Sequence, residues 1–201
     1  MMPDAQSLIA EVDSKLSNAS TKRHSAILRR LTDLFLTGAE TYSDDHVALF
    51  DDIIGHLIAK SDPAALIELS ARLAPIRNAP RRLVGHLSRN DDMAISAPLL
   101  GNSSVLTDDI LVEIAGTKSQ RHLAAIAGRA RISEAVTDIL IHRGDATVAR
   151  KVTDNQSARL SELGFVKLIN RAKDDRGLAV AIENRTDLPS ELQPFLKLTL
   201  V

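Results

Sequence analysis

The chain has no cysteine and no tryptophan, one tyrosine and four phenylalanines among 201 residues. Without cysteine there is no disulfide, no thiolate nucleophile and no cysteine-held zinc or iron–sulfur centre. The shortage of aromatic faces weighs against ligand cages and against single-strand nucleic-acid platforms, which stack bases on such rings. Glycine is sparse, nine in all, and neither G-x-G-x-x-G nor G-x-x-x-x-G-K-[ST] occurs, so the common nucleotide cradles are missing. No apolar run approaches the ~20 residues that cross a bilayer. The start, MMPDAQSLIAEVDSKL, lacks a basic flank leading into an apolar core and does not read as a secretory signal. These absences lead us to expect a cytoplasmic protein with no membrane contact.

What is present is aliphatic and periodic. An apolar residue, a capping residue and two further apolar residues one and two turns later recur along the second half. Leu106-Thr107 leads to Ile110 and Ile114, and Ile132-Ser133 to Val136 and Leu140. Leu160-Ser161 leads to Phe165 and Leu168, and Leu188-Pro189 to Leu192 and Leu196. The capping positions 107, 133, 161 and 189 lie 26, 28 and 28 residues apart. A fixed period of this size marks stacked helical hairpins, each burying its apolar face against its neighbours.

Further signals give the helix boundaries. Leu8, Ile9, Val12 and Leu16 make an apolar stripe on a first helix over 4–17. A second helix is expected over 21–37 with Gly38 as its stop, and Ser43 caps a third. Ser61-Asp62-Pro63 starts another, proline tolerating the first helical position because its missing N–H has no intrahelical role there. Pro75 ends that helix and Pro80 opens the next. Shorter helices then follow at 92–100, 107–116, 119–128, 133–142, 146–154, 161–172, 176–183 and 189–199. No segment alternates with a period of two, so no strands are assigned. The expected fold is all-α: a HEAT-like helical-repeat array (α-solenoid) over 61–201, packed against a longer-helix N-terminal cap or bundle over 1–60.

Chemistry-bearing constellations are few. The pairs Asp44-Asp45, Asp91-Asp92, Asp108-Asp109 and Asp174-Asp175 suit acid–base work or a divalent cation. Each also falls at a predicted helix start, where negative charge complements the dipole, and capping is the expected role. Asp52 and His56, at i and i+4 with His46 nearby, offer two metal ligands without an evident third. No catalytic residue, cofactor or metal site is assigned, and no enzymatic activity is expected. The net charge is −1, unevenly placed: residues 1–76 carry −4 and residues 77–201 carry +3. Arg121, Arg129, Arg150 and Lys151 lie on the helices preceding the capped ones. Equivalent helices of stacked hairpins share a surface, so these cations form a candidate partner-binding stripe that Arg77, Arg81, Arg82 and Arg89 extend. The competing reading is a solvated face, partly neutralised by Glu134, Asp138, Asp145 and Asp154.

The stretch LAPIRNAPRRLVGHLSRNDDMAISAPLLGNSSVLTDDILVEIAGTKSQRHLAAIAGR, residues 73–129, resembles the bacterial family called domain of unknown function 2336. Leu73-Ala74-Pro75, Pro80, Ala97-Pro98-Leu99-Leu100, Leu106 to Leu111 and Ala125 to Arg129 carry the likeness, which extends over about residues 20–198. AVAIENRTDLPSELQPFLKL, residues 179–198, is similar to leucine-rich-repeat-variant and HEAT-like helical repeats. The resemblance implies a helical, HEAT-like fold in a bacterial cytoplasm and transfers no site residue.

The leading expectation is therefore a non-catalytic interaction scaffold or regulatory adaptor, its partner a protein with an acidic surface. The alternatives are a duplex-DNA-binding helical array, and a sensor or enzyme with a pocket at the N-terminal/repeat junction served by His56 or His86. A homodimer through the N-terminal helices is a further possibility.

Overall fold

A computed structural model describes residues 20–200, and among these the secondary structure is helical. The helix expected over 4–17 lies outside the described residues. A lone parallel bridge between Ile132 and Ala158 is the sole extended pairing among the described residues. No described helix is long and apolar enough to cross a membrane. The chain divides into two compact units, one reaching to Leu106 and one from Thr107. The boundary expected at residue 60 falls inside the first unit.

In the first unit α1 is Thr21–Gly38, α2 Asp44–Ile58, α3 Pro63–Leu73, α4 Arg81–Ser88 and α5 Met93–Asn102. The starts follow the sequence closely. Ser43 accepts the His46 N–H, Asp62 accepts the Ala65 N–H ahead of Pro63, and Asp92 accepts the Ala94 N–H. Helix α1 packs on α2 and α3, α3 on α5, and α2 on α4. Leu28, Phe35, Ile54, Leu57, Leu69, Leu73, Leu83 and Leu87 fill the interior and are at most 2% exposed. Each such side chain gains about 1.5–3 kcal/mol from leaving water. Three of the five aromatic rings meet at one place: Phe50 lies 5.2 Å from Phe35 and 5.4 Å from Tyr42 between ring centres. Gly38 ends α1 without a positive φ. Its missing Cβ instead makes room for the Tyr42 ring, whose hydroxyl donates to the Leu34 carbonyl.

In the second unit α6 is Asp108–Thr117, α7 Gln120–Ala127, α8 Glu134–Arg143, α9 Ala146–Asp154, α10 Glu162–Ala172 and α11 Arg176–Glu183. A 3-10 turn at Ser190–Leu192 leads into α12, Gln193–Leu200. Helices of 8–11 residues do not persist alone in water, so packing holds them. Helix α8 packs on α6 and α10, and α10 on α12; α9 packs on α7 and α11. Two rows result, α6-α8-α10-α12 and α7-α9-α11, with the members of each pair α6/α7, α8/α9 and α10/α11 also in contact. Six of the eight apolar positions named from the sequence, Ile114, Val136, Leu140, Phe165, Leu168 and Leu196, are at most 2% exposed, whereas Ile110 and Leu192 are only half-buried.

Polar staples join the members of each row. Arg143, at the end of α8, donates to the carbonyls of Ala115 and Lys118 at the end of α6. Arg171, at the end of α10, donates to Ile141 and Gly144 at the end of α8, at 3.0 and 2.9 Å. In the other row, the Asn155 amide donates to Ala127 and Arg129 beyond α7. Arg185 donates to Thr153 and Asn155 beyond α9. The last carbonyls of a helix have no intrahelical donor, and a cation there also complements the dipole. The ends of α6, α7, α8 and α9 are thus completed by a side chain on, or just after, the next helix in the row.

Candidate functional site

In the first unit the site begins with Asp51 on α2, which is 8% exposed. Pro80 occupies the N-cap position of α4 and supplies no side-chain acceptor. Asp51 takes that role across the interface, accepting the N–H groups of Arg82 and Leu83 at 3.0 and 2.8 Å. The next residue, Asp52, pairs with the Arg82 guanidinium, whose Nε also lies 3.5 Å from Asp51. The Asp52 hydrogen bond, followed by the field of Asp51, raises the Arg82 pKa above the ordinary arginine value. This guanidinium is therefore held between two carboxylates.

Beside it lies a cleft of about 450 Å³, walled by α2 and α4 with Leu66 of α3 between them. Arg82, His86 and Asn90 follow one another at four-residue steps along one wall, and Asp52, Gly55 and Ala59 line the other. A Cβ added at Gly55 would meet nothing within 4 Å, so this glycine widens the cleft. Leu83, Leu87, Ile58 and Leu66 make the apolar part of the lining. The cleft thus sets an acid, a base, an imidazole and an amide over an aliphatic surface. His56 is outside this lining, and among the described residues no three His, Cys, Asp or Glu side chains are grouped to hold a metal. The aspartate pairs serve helix starts: Asp92 and Asp175 are side-chain caps, while Asp44-Asp45 and Asp108-Asp109 fill first turns.

In the second unit α7 and α9 are neighbours, with Arg121 on α7, Arg129 just beyond it, and Arg150 and Lys151 on α9. Arg121 and Lys151 are exposed, and Lys151 lies against Gly128 at the end of α7. The other two have internal roles. Arg150 pairs with Asp175, the cap of α11, at 2.6 Å, and its guanidinium covers Gly177. Burial pushes the Arg129 pKa below the ordinary arginine value, with Asp108 opposing that shift. Arg81 and Arg82 are exposed positions at the start of α4 in the first unit.

Residues 95–194 match the model of a family described as an uncharacterised protein conserved in bacteria, DUF2336. This stretch belongs to that family. The DUF2336 match runs from α5 to α12, so it takes in the four cations of α7 and α9 together with every staple of the second unit, and leaves the α2–α4 cleft outside. No curated protein and no solved structure matches the chain.

The sequence reading missed the structural cations. Arg143 and Arg171 stand 28 residues apart, the repeat spacing itself, and that coincidence was available in the sequence. The buried Arg185, its side chain 0% exposed and paired with Asp187 at 2.7 Å, carried no comparable signal.

Proposed function

We propose that the chain is a non-catalytic interaction module whose second unit is a HEAT-like α-solenoid segment docking an acidic protein along the α7-α9 row. One observation carries this reading: α7 and α9 pack side by side and leave Arg121 and Lys151 exposed on adjacent members of one row. Repeat arrays gain binding surface from such side-by-side helices without needing a pocket. Arg129 and Arg150 support the helices rather than the partner, so the docking cations are Arg121 and Lys151. The test is a pull-down from native bacterial lysate with nuclease present, comparing wild type with an Arg121→Glu/Lys151→Glu variant of unchanged helical content. A protein recovered with wild type alone supports the reading. Equal recovery by both removes the docking site from this row. Material recovered only when nuclease is omitted favours the duplex-DNA alternative, whose affinity falls steeply with salt.

A second reading rests on the α2–α4 cleft, whose volume lies within the range of small-molecule sites. On that reading the first unit senses a small polar ligand. Gly55→Leu projects into open space and fills the cleft, so it abolishes ligand-induced shifts of the His86 ring resonances. Shifts that survive this substitution remove the cleft from consideration.

A further inference from the structure

The loops that leave α7 and α9 are locked together. Arg159 donates its N–H to the Ile132 carbonyl at 2.9 Å, within the lone parallel bridge of Ile132 and Ala158. The Thr137 hydroxyl donates to the Arg159 carbonyl at 2.6 Å, and the Asn155 amide holds the Ala127 and Arg129 carbonyls. Beneath them Arg185 donates to the Ala158 carbonyl at 2.8 Å. Ile132 and Ala158 are 3% and 2% exposed, so the two loops are anchored in the core. Their neighbours Arg131 and Arg159, again 28 residues apart, are exposed. Together with Ala130, Ile132, Ser133 and Ser157 they line an open pocket of about 390 Å³.

This lining has a definite chemistry. The side chains of Arg131 and Arg159 line it together with Ser157 and the start of α8 at Ser133. Ser133 occupies the N-cap position of α8 but makes no capping bond, and its Oγ is shielded from solvent with no hydrogen-bond partner among the described residues. Leaving such a group unsatisfied is unfavourable. Glu134 pairs with Arg159 at a loose 3.5 Å, and both side chains are exposed. An exposed pair of this kind contributes little, because water screens it. A better anion therefore displaces Glu134 at little cost.

We propose that the Arg131–Arg159 pocket binds a phosphomonoester, either free or carried on a serine side chain. Two guanidinium forks and the α8 N-terminus offer more donors than the two oxygens of a carboxylate accept, and they suit the three terminal oxygens of a phosphoryl group. The second unit holds 14 basic and 13 acidic side chains from Thr107 onward, which gives no broad positive field for a phosphodiester polymer. This site is separate from the Arg121–Lys151 row and stands or falls independently of it.

The test is an NMR titration of the intact chain, following Arg Nε–H and backbone amides at constant ionic strength. Inorganic phosphate, a short phosphoserine peptide and duplex DNA are the three probes. Phosphate and phosphopeptide are expected to shift the signals of Arg131, Arg159, Ser133 and Glu134 before those of Arg121 and Lys151. Response to the peptide at much lower concentration than to the ion assigns the phosphoryl group to a partner side chain; equal response assigns it to a free ligand. Arg131→Ala/Arg159→Ala weakens binding by about tenfold or more, and Glu134→Gln tightens it by a few-fold. Both changes lie at exposed positions, and unchanged amide spectra in the absence of ligand verify the fold. The proposal is overturned by shifts spread evenly over the arginines, by binding that survives the double substitution, or by a response to duplex DNA alone.

Discussion

Arg171 Nη1 lies 2.9 Å from the carbonyl oxygen of Gly144, closing the end of α8 from a side chain on α10. The same nitrogen reaches Ile141, and Arg143 repeats the arrangement one hairpin earlier toward Ala115. In both cases a single Nη1 serves two carbonyls, its two N–H groups held in fixed directions by the planar guanidinium, which a lysine ammonium on a flexible stem does less well.

The staple is therefore worth testing by its deletion. Arg171→Met keeps the aliphatic stem and removes the donors, and is expected to lower unfolding stability by about 1–2 kcal/mol. Arg171→Lys should recover part of that loss. Urea denaturation at unchanged m value reads both effects; a midpoint equal to wild type for Arg171→Met would show the staple to be idle.

Arg185 is the more costly case. Its side chain is fully enclosed, donates to Thr153, Asn155 and Ala158, pairs with Asp187 and lies 5.8 Å from the Phe165 ring centre. Arg185→Ala strips three carbonyls of their donor and leaves a cavity, with an expected loss of about 3–5 kcal/mol. Asp187→Asn keeps those three bonds and should cost far less. Comparable losses for the two variants, measured by chemical denaturation, would place the stabilisation in the ion pair instead.

Asp62 links stability to pH. The Ser25 hydroxyl, followed by the Ala65 N–H, holds its carboxyl below the ordinary value of 3.8. A carboxylate with a lowered folded-state pKa contributes stability that is present above the unfolded pKa and is lost as pH falls through the folded one. Asp62→Asn keeps the capping geometry and removes the titration. The melting-temperature gap between wild type and variant should be constant from neutral pH down to about 5 and narrow below 4. A gap that persists into strong acid would assign the effect to something other than the charge.

Two glycines should respond differently to alanine. A Cβ at Gly144 overlaps the Leu140 carbonyl oxygen and the Val148 side chain, neither of which can move far, whereas one at Gly177 meets the tip of Arg150. Gly144→Ala is expected to cost about 2 kcal/mol or more through overpacking. Gly177→Ala swings Arg150 aside, and the helix-propensity gain of about 1 kcal/mol roughly cancels the half-buried ion pair it breaks. Thermal melts of the two variants should therefore separate clearly, and similar shifts would contradict the steric account.

The helices were legible where a single residue fixes a local geometry. Asp62-Pro63, Ser43 and Ser161 mark starts within their own first turns, and capping is a matter of three consecutive residues. The buried aliphatic positions Val136, Leu140 and Leu168 were legible from their helical spacing. The roles of the cations were less so. Arg150 and Arg121 look alike in sequence, yet one meets Asp175 across a helix interface and the other faces solvent. The α4 cap was hidden for the same reason: Asp51 lies thirty-one residues from the N–H of Arg82 that it accepts. The pocket at Arg131 and Arg159 depends on a two-residue bridge too short to leave a strand pattern.

The Arg and Asn staples also give the second unit a direction. In each of them the donor comes later in the chain than the carbonyls it completes: Arg143 after Ala115, Asn155 after Ala127, Arg171 after Gly144, Arg185 after Thr153. During synthesis from the N-terminus, the ends of α6 to α9 wait for these later donors, although Gln120 on the earlier α7 also reaches the Arg143 carbonyl at the end of α8. Deleting hairpins from the two ends is then not equivalent. Loss of the first frees long side chains that reach water easily, whereas loss of the last uncovers backbone acceptors fixed in the packed ends of their helices.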